Sequence, residues 1–411
     1  MKHLLFCLCL VLVGCQNSAV NGQPSTPEPV NSVTGQPTEV PDAALTNQQN
    51  DDAMPSSPQV PAEETPQTAE NTASAELAEL ELPPEAAAPT DNTAATDSQN
   101  TDKKSSWPPF LTEEQRKIIQ SIKWDEKPEV LYAVEEVNLG QHYLISDEKH
   151  HELYRETIEN LGGTYMGVGT NQGYLYIGWQ RPEFGILFDY DPMVVELHQI
   201  LLAFIQVCDT SECLSNYIKD EKAGLEWLQG EGGTAAGLNN KHMIGRYKKL
   251  RKTLIKAFVR MKDMSEKTMM NDVETYEYIH HLAVGGRLVT VRANLLGKAS
   301  MKSIADGLNK LNAKVTTLYL SNAEQYWDYT PEFKENMLAL PIADNGFVMR
   351  TSASYPQNGD YRYSVQPLPV FRAWMERKRC KKVAQMLKKV RIRAEEFPFV
   401  VDDKMPAPLK Q

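Results

Sequence analysis

Between residues 16 and 106 the chain carries no Phe, Tyr or Trp, and this absence constrains everything else it can fold into. The same stretch holds 12 of the 25 prolines and 15 Asp and Glu against two basic residues, Lys103 and Lys104. Such a segment cannot bury enough apolar surface to offset chain entropy, so it is expected to be disordered. A run of helix formers at 73 to 82 stops at Pro83 and Pro84, too short for an isolated helix. As a flexible tether the segment would reach roughly 50 to 60 Å. The whole chain has 411 residues and a formal net charge of −11, more than accounted for by the −13 of this segment, because residues 107 to 411 sum to about +1. The acidity is therefore a property of the linker and says nothing about a binding surface. These features exclude a fibrous protein, a polytopic membrane protein and a chain disordered throughout.

Ahead of the linker, Lys2 and His3 precede an unbroken apolar run at 4 to 13, the layout of a secretory signal peptide. Ten residues rise only about 15 Å as a helix, half the roughly 30 Å of a hydrocarbon core. Leu12, Val13, Gly14 and Cys15 then resemble the bacterial lipobox. That resemblance implies cleavage after residue 14, a diacylglycerol and further acyl chain on Cys15, and anchoring in a lipid bilayer. The absence of Asp after the cysteine, where Gln16 stands, points to the outer membrane. The alternative is an ordinary cleaved signal with an incidental cysteine.

Once Cys7, Cys9 and Cys15 are set aside, Cys208, Cys213 and Cys380 remain. Asp209, Thr210 and Ser211 read as a helix end and a new N-cap, which leaves two readings for Cys208 and Cys213: a local disulfide or two buried thiols. No His and Cys spacing of zinc type occurs, and no metal site is expected. The adjacent pairs His150 with His151 and His280 with His281 point about 100° apart on a helix and read as surface residues.

From Trp107 onward short apolar strands alternate with amphipathic helices. Helices are expected at 112 to 122, opened by a Thr112 and Gln115 capping box, at 147 to 161, 192 to 207, 244 to 264, 301 to 311, 331 to 338 and 370 to 390. Strands are expected at 130 to 137, 184 to 189, 287 to 291, 315 to 320 and 347 to 351. This order predicts an α/β domain over 107 to 395, with a mostly parallel Rossmann-like sheet flanked by helices and a tail at 396 to 411. The stretch 216 to 240 is the least regular, and its glycine group, Gly230, Gly232, Gly233 and Gly237, lacks the Lys and Ser or Thr of a phosphate loop.

The most informative residues lie between 162 and 191. Gly167, Gly169 and Gly173, with Thr170 and Asn171 among them, form a glycine turn after a short strand. The next strand ends in Asp189, 22 residues beyond Gly167. In a nucleotide-binding unit, glycines let the backbone approach the ligand and an acid at the end of the second strand binds ribose hydroxyls. Asp191 could share that task, although Asp followed by Pro192 is also a helix start. Downstream, Ser321, Asn322, Glu324 and Gln325 follow the strand ending at Leu320. The order of these elements resembles class I S-adenosylmethionine-dependent methyltransferases, whose corresponding loop lines the methyl-donor pocket. The glycine stretch together with Ser321 to Tyr326 also resembles a bacterial family without an assigned function, over about 150 to 355.

The resemblance implies S-adenosylmethionine as a conceivable cofactor, but several features run against catalysis. The glycines follow G-x-G-x-x-x-G, and Arg181 and Pro182 cut the following helix short. Methyl donor is made from ATP, so an exported domain lacks it. The expected function is therefore an envelope-anchored lipoprotein whose domain binds a ligand or partner without catalysis. The alternatives are a methyltransferase or other transferase with a nucleoside-like cosubstrate, and a structural spacer gripping an anionic envelope surface. Dense basic stretches at 241 to 262 and 372 to 393 suit anionic lipid, lipopolysaccharide or an acidic envelope protein, and nucleic acid is not expected.

Overall fold

A computed structural model describes residues 106–131, 140–355, 360–389 and 399–408. The signal, Cys15, the linker and most of the strand expected at 130 to 137 lie outside them. The chain enters through α1 (Glu113–Gln120), whose Thr112 and Gln115 form the reciprocal cap. A 3-10 turn at His151–Tyr154 and α2 (Arg155–Ile158) follow. Next come β1 (Thr164–Gly167), α3 (Gln172–Gln180), β2 (Phe184–Asp189) and α4 (Pro192–Val207). Three short helices, α5 (Ser211–Lys219), α6 (Glu221–Gln229) and α7 (Glu231–Ala235), lead to the long α8 (Lys241–Asp263) and α9 (Val273–Val284). The order closes with β3 (Leu288–Arg292), α10 (Ser300–Lys310), β4 (Val315–Ser321), α11 (Pro331–Ala339), β5 (Ile342–Tyr355), β6 (Asp360–Pro367), α12 (Leu368–Met375) and β7 (Phe399–Val401).

The strands form one sheet in the order β3-β2-β1-β4-β5-β6-β7. β3, β2, β1, β4 and β5 are parallel, β6 turns back antiparallel on β5, and β7 runs with β6. Alternating side chains feed two cores, as the period of a strand requires. Tyr165, Leu187, Tyr319 and Met349 face α3, α4, α8 and α9, while Met166, Ile186, Phe188, Leu318 and Val348 face α10, α11 and α12. The expected mostly parallel α/β sheet with helices on both faces is what the chain forms. Its order reverses between β1 and β4, so the crevice outside their carboxyl ends is where this topology places a ligand.

Four local expectations are corrected. Helix 147 to 161 shrinks to a 3-10 turn and one α-turn: the His150 amide donates to the Tyr363 hydroxyl at 2.9 Å rather than to the Ser146 carbonyl, which accepts from Arg260. The last helix stops at Met375 rather than near 390. Beyond it Cys380, Val383 and Met386 are all buried, and spacing by three suits turns and 3-10 geometry better than an α-helix. The domain does not end at 395, since β7 joins the sheet and Asp402 pairs with Arg362 in the core at 2.8 Å. The irregular stretch 216 to 240 is helical, capped by Asp220 and Gly230. Cys208 and Cys213 are disulfide-bonded with Cα atoms 5.4 Å apart, and Cys380 is a buried free thiol.

Candidate functional site at the carboxyl ends of the strands

The glycine turn joins β1 to α3. At φ +89° Gly169 occupies a conformation that favours glycine. A Cβ on Gly167 would lie 2.1 Å from the Tyr165 hydroxyl, and one on Gly173 would lie 2.4 Å from Leu187 Cδ2. The space these glycines leave is thus filled by the protein's own side chains. Thr170, Asn171 and Gln172 are buried, with the Thr170 amide and hydroxyl both donating to Gln172 Oε1 at 3.1 and 3.0 Å. The Gly169 carbonyl sits 2.8 Å from His198 Nε2. Burial holds the His198 pKa down at about 4, so the ring is neutral at pH 7 and donates from Nε2.

Asp189 ends β2 beneath this turn. Its Oδ2 accepts from the Gly169 amide at 3.1 Å and its Oδ1 from the Asp191 amide at 2.9 Å. Burial is the main cause that pushes its pKa up to about 6, and the Asp191 charge adds to it while the backbone amides oppose it. Asp191 caps α4, accepting from the Met193 amide at 2.8 Å, and pairs with His142 Nδ1 at 2.8 Å. The four candidate residues at and after the end of β4 diverge. Ser321, at φ +49°, turns its hydroxyl onto Glu148 Oε1 at 2.9 Å. Asn322 donates to Tyr326, and Gln325 Nε2 donates to the Thr351 carbonyl at 3.2 Å. Glu324 is buried in an ion pair with Arg350 and accepts the Tyr329 hydroxyl at 2.5 Å. The structure therefore gathers Gly167, Gly169, Thr170, Asp189 and Asp191 at one edge of the crevice and Ser321 at the other, and leaves Glu324 in the core.

Glu148, which sequence reasoning missed, sits at the Ser321 edge. Both its oxygens accept the Tyr319 hydroxyl, at 2.5 and 2.6 Å. The hydroxyls of Ser146, Ser321 and Thr351 each donate at 2.9 Å, and His151 Nδ1 lies 3.7 Å away. Burial, the leading cause, raises its pKa in spite of these donors. Residues 140–150 thus run as a strap over the strand ends, with His142 on Asp191 and Glu148 on β4 and β5. Arg260 of α8 fastens it from outside through the carbonyls of Ser146, at 2.7 Å, and Glu148. The Tyr361 hydroxyl adds a bond to Asp147 at 2.7 Å. His151, read from the sequence as a surface residue, is buried and bonds the Tyr176 hydroxyl at 2.7 Å. Its partner carboxylate reaches it from three residues away, a relationship hidden in a stretch that reads as an ordinary helix start.

Beside this strap a cavity of about 270 Å³ opens at the carboxyl ends of β2 and β3, bounded by Asp125, Lys127, Tyr190, Arg292 and Asn294. Arg292, in register with Asp189, donates to the Asp125 carbonyl at 2.8 Å and lies against the Trp124 ring. The Asp125 carboxylate accepts from the amides of Asn294, Ala299 and Ser300 and so caps α10 from a distant segment. Among the described residues no three His, Cys, Asp or Glu side chains group as metal ligands, and no helix is long and apolar enough to cross a membrane.

No curated protein matches the sequence. Among solved structures the chain is similar to an rRNA methyltransferase, aviRa from Streptomyces viridochromogenes, with 12% identity over 50% of this chain and 74% of that one and a TM-score of 0.24. A family model described as "Domain of unknown function (DUF7790)" matches residues 143–398, the strap, the glycine turn and the sheet through β6. The chain belongs to the DUF7790 family.

Proposed function

We propose that this protein is an envelope-anchored lipoprotein, held by Cys15, whose Rossmann-like domain binds a ligand or partner without transferring a group to it. The observation that carries this reading is the seating of Glu148: a chain segment lies over the carboxyl ends of β4 and β5, beside the topological switch point, with its carboxylate bonded by the hydroxyls of Tyr319, Ser321 and Thr351. Asp189, the acid that would meet a ribose, is already engaged by two backbone amides, and the space beside Gly167 and Gly173 is taken by Tyr165 and Leu187. What stays open is the neighbouring cavity over β2 and β3, walled by Tyr190, Arg292 and Asn294, which suits a small ligand or an inserted side chain.

The competing reading is a transferase with a nucleoside-like cosubstrate. It draws on that same cavity, because Asp189 closes β2 next to it. Calorimetric titration of the purified chain with S-adenosylmethionine and S-adenosylhomocysteine separates the two. The binding-module reading expects no heat from a folded chain. Micromolar binding that disappears in Asp189→Ala would replace it with the transferase.

A further inference from the structure

α8 divides its basic residues by type. Its three arginines are engaged within the domain: Arg246 with Glu196, Arg251 with Glu221 and the Lys219 carbonyl, and Arg260 with the strap carbonyls. Its lysines are not. Lys241, Lys248, Lys249, Lys252, Lys256 and Lys262 are all exposed and make no ion pair or hydrogen bond with a described residue. At 100° per residue the first five fall within an arc of roughly 100°, with Lys262 just outside it. The strip runs roughly 30 Å along the helix. Half-exposed Val259 lies on it, Gly245 leaves open space at its amino-terminal half, and its one acid is Asp263 at the helix end. The opposite side of α8, through Tyr247, Leu250, Leu254 and Phe258, is buried on the core.

We infer that this lysine face of α8 docks on the anionic headgroups of a lipid bilayer. Ammonium groups on flexible stems suit a fluid array of phosphates, whereas the fixed forks of the arginines are spent on defined carboxylates and carbonyls. The domain itself is near neutral and the whole chain carries −11, so overall charge opposes adsorption to an anionic surface. A preference for such a surface must therefore arise from a local patch. The tether proposed from Cys15 would keep a bilayer within reach, but the inference concerns α8 and stands or fails separately from the ligand cavity.

The test is co-sedimentation of the full chain carrying Cys15→Ser with vesicles of phosphatidylcholine, alone or with about a third phosphatidylglycerol. The apolar run at 4 to 13 contributes equally to both vesicle types, so the difference between them reads the electrostatic contact. Binding is expected to be at least tenfold tighter to the anionic vesicles and to weaken as salt shortens the screening length. Lys248→Glu, Lys252→Glu and Lys256→Glu together should abolish the difference while leaving the circular dichroism spectrum and melting temperature unchanged. Reversal of Lys378, Arg379 and Lys381, an exposed basic cluster elsewhere, should leave it within twofold. Equal binding to both vesicles, or a preference that survives the α8 reversal, would overturn the inference.

Discussion

The hydroxyl of Tyr319 on β4 lies within 2.6 Å of both carboxylate oxygens of Glu148, 171 residues earlier in the chain. That contact fixes the strap against the sheet, and burial raises the Glu148 pKa above 4.5. An acid whose folded pKa is raised carries its ionisation cost in full above that value, and the cost fades as pH falls toward 4.5. For this group, stability rises on acidification. Glu148→Gln should remove that component from a plot of melting temperature against pH. Glu148→Ala strands several hydroxyls and should cost about 2 to 4 kcal/mol in urea unfolding.

Asp189 behaves in the same direction, with burial as the main cause. Carbon-13 titration of its carboxyl should show a midpoint near 6, above the ordinary 3.8. The stability it withholds is withheld fully above pH 6 and returned between 6 and 3.8. A midpoint near 3.8 would mean that the Gly169 turn does not enclose it.

Glu324 distinguishes a core role from a ligand-binding one. Removing it leaves the Arg350 guanidinium buried without its carboxylate, so Glu324→Ala should destabilise the domain by about 3 to 5 kcal/mol. Replacing the pair together, Glu324→Leu with Arg350→Met, should recover much of that loss. Full stability of the single variant would return Glu324 to the candidate binding residues.

The disulfide between Cys208 and Cys213 spans only the turn between α4 and α5. A loop this short restricts the unfolded chain modestly, so reduction should lower stability by about 2 kcal/mol, read as the shift in urea unfolding with and without reductant. No shift would mean that both cysteines are thiols in solution.

Much of the sheet was legible in the sequence because β2, β3, β4 and β5 are rich in apolar residues, whereas β1, Thr164–Gly167, is short and not an apolar run. Phe184–Asp189 and Pro192–Val207 could be bounded to the residue, with Asp191 and Pro192 marking the helix start. Ser321 and Asp189 were recognisable as residues at strand ends, where this topology puts chemistry. What they touch was not, since Glu148 reaches Ser321 and Tyr319 across more than 170 residues and leaves no periodic trace. The end of the strap reads as a helix start, and the Tyr363 hydroxyl, more than 200 residues away, takes the His150 amide that a first turn would use. β6 was lost for a similar reason: Arg362, Ser364 and Gln366 are buried polar residues that break the apolar signature of a strand.

In the protein at rest the strap lies on the carboxyl ends of β4 and β5. Native-state hydrogen exchange of the Lys149 and His150 amides tests this most directly, because both donate to the Tyr363 hydroxyl under the strap. Protection approaching that of β4 is expected, with exchange accelerated in Tyr363→Phe. Exchange at the rate of an open loop would show that the strap does not rest on the strand ends.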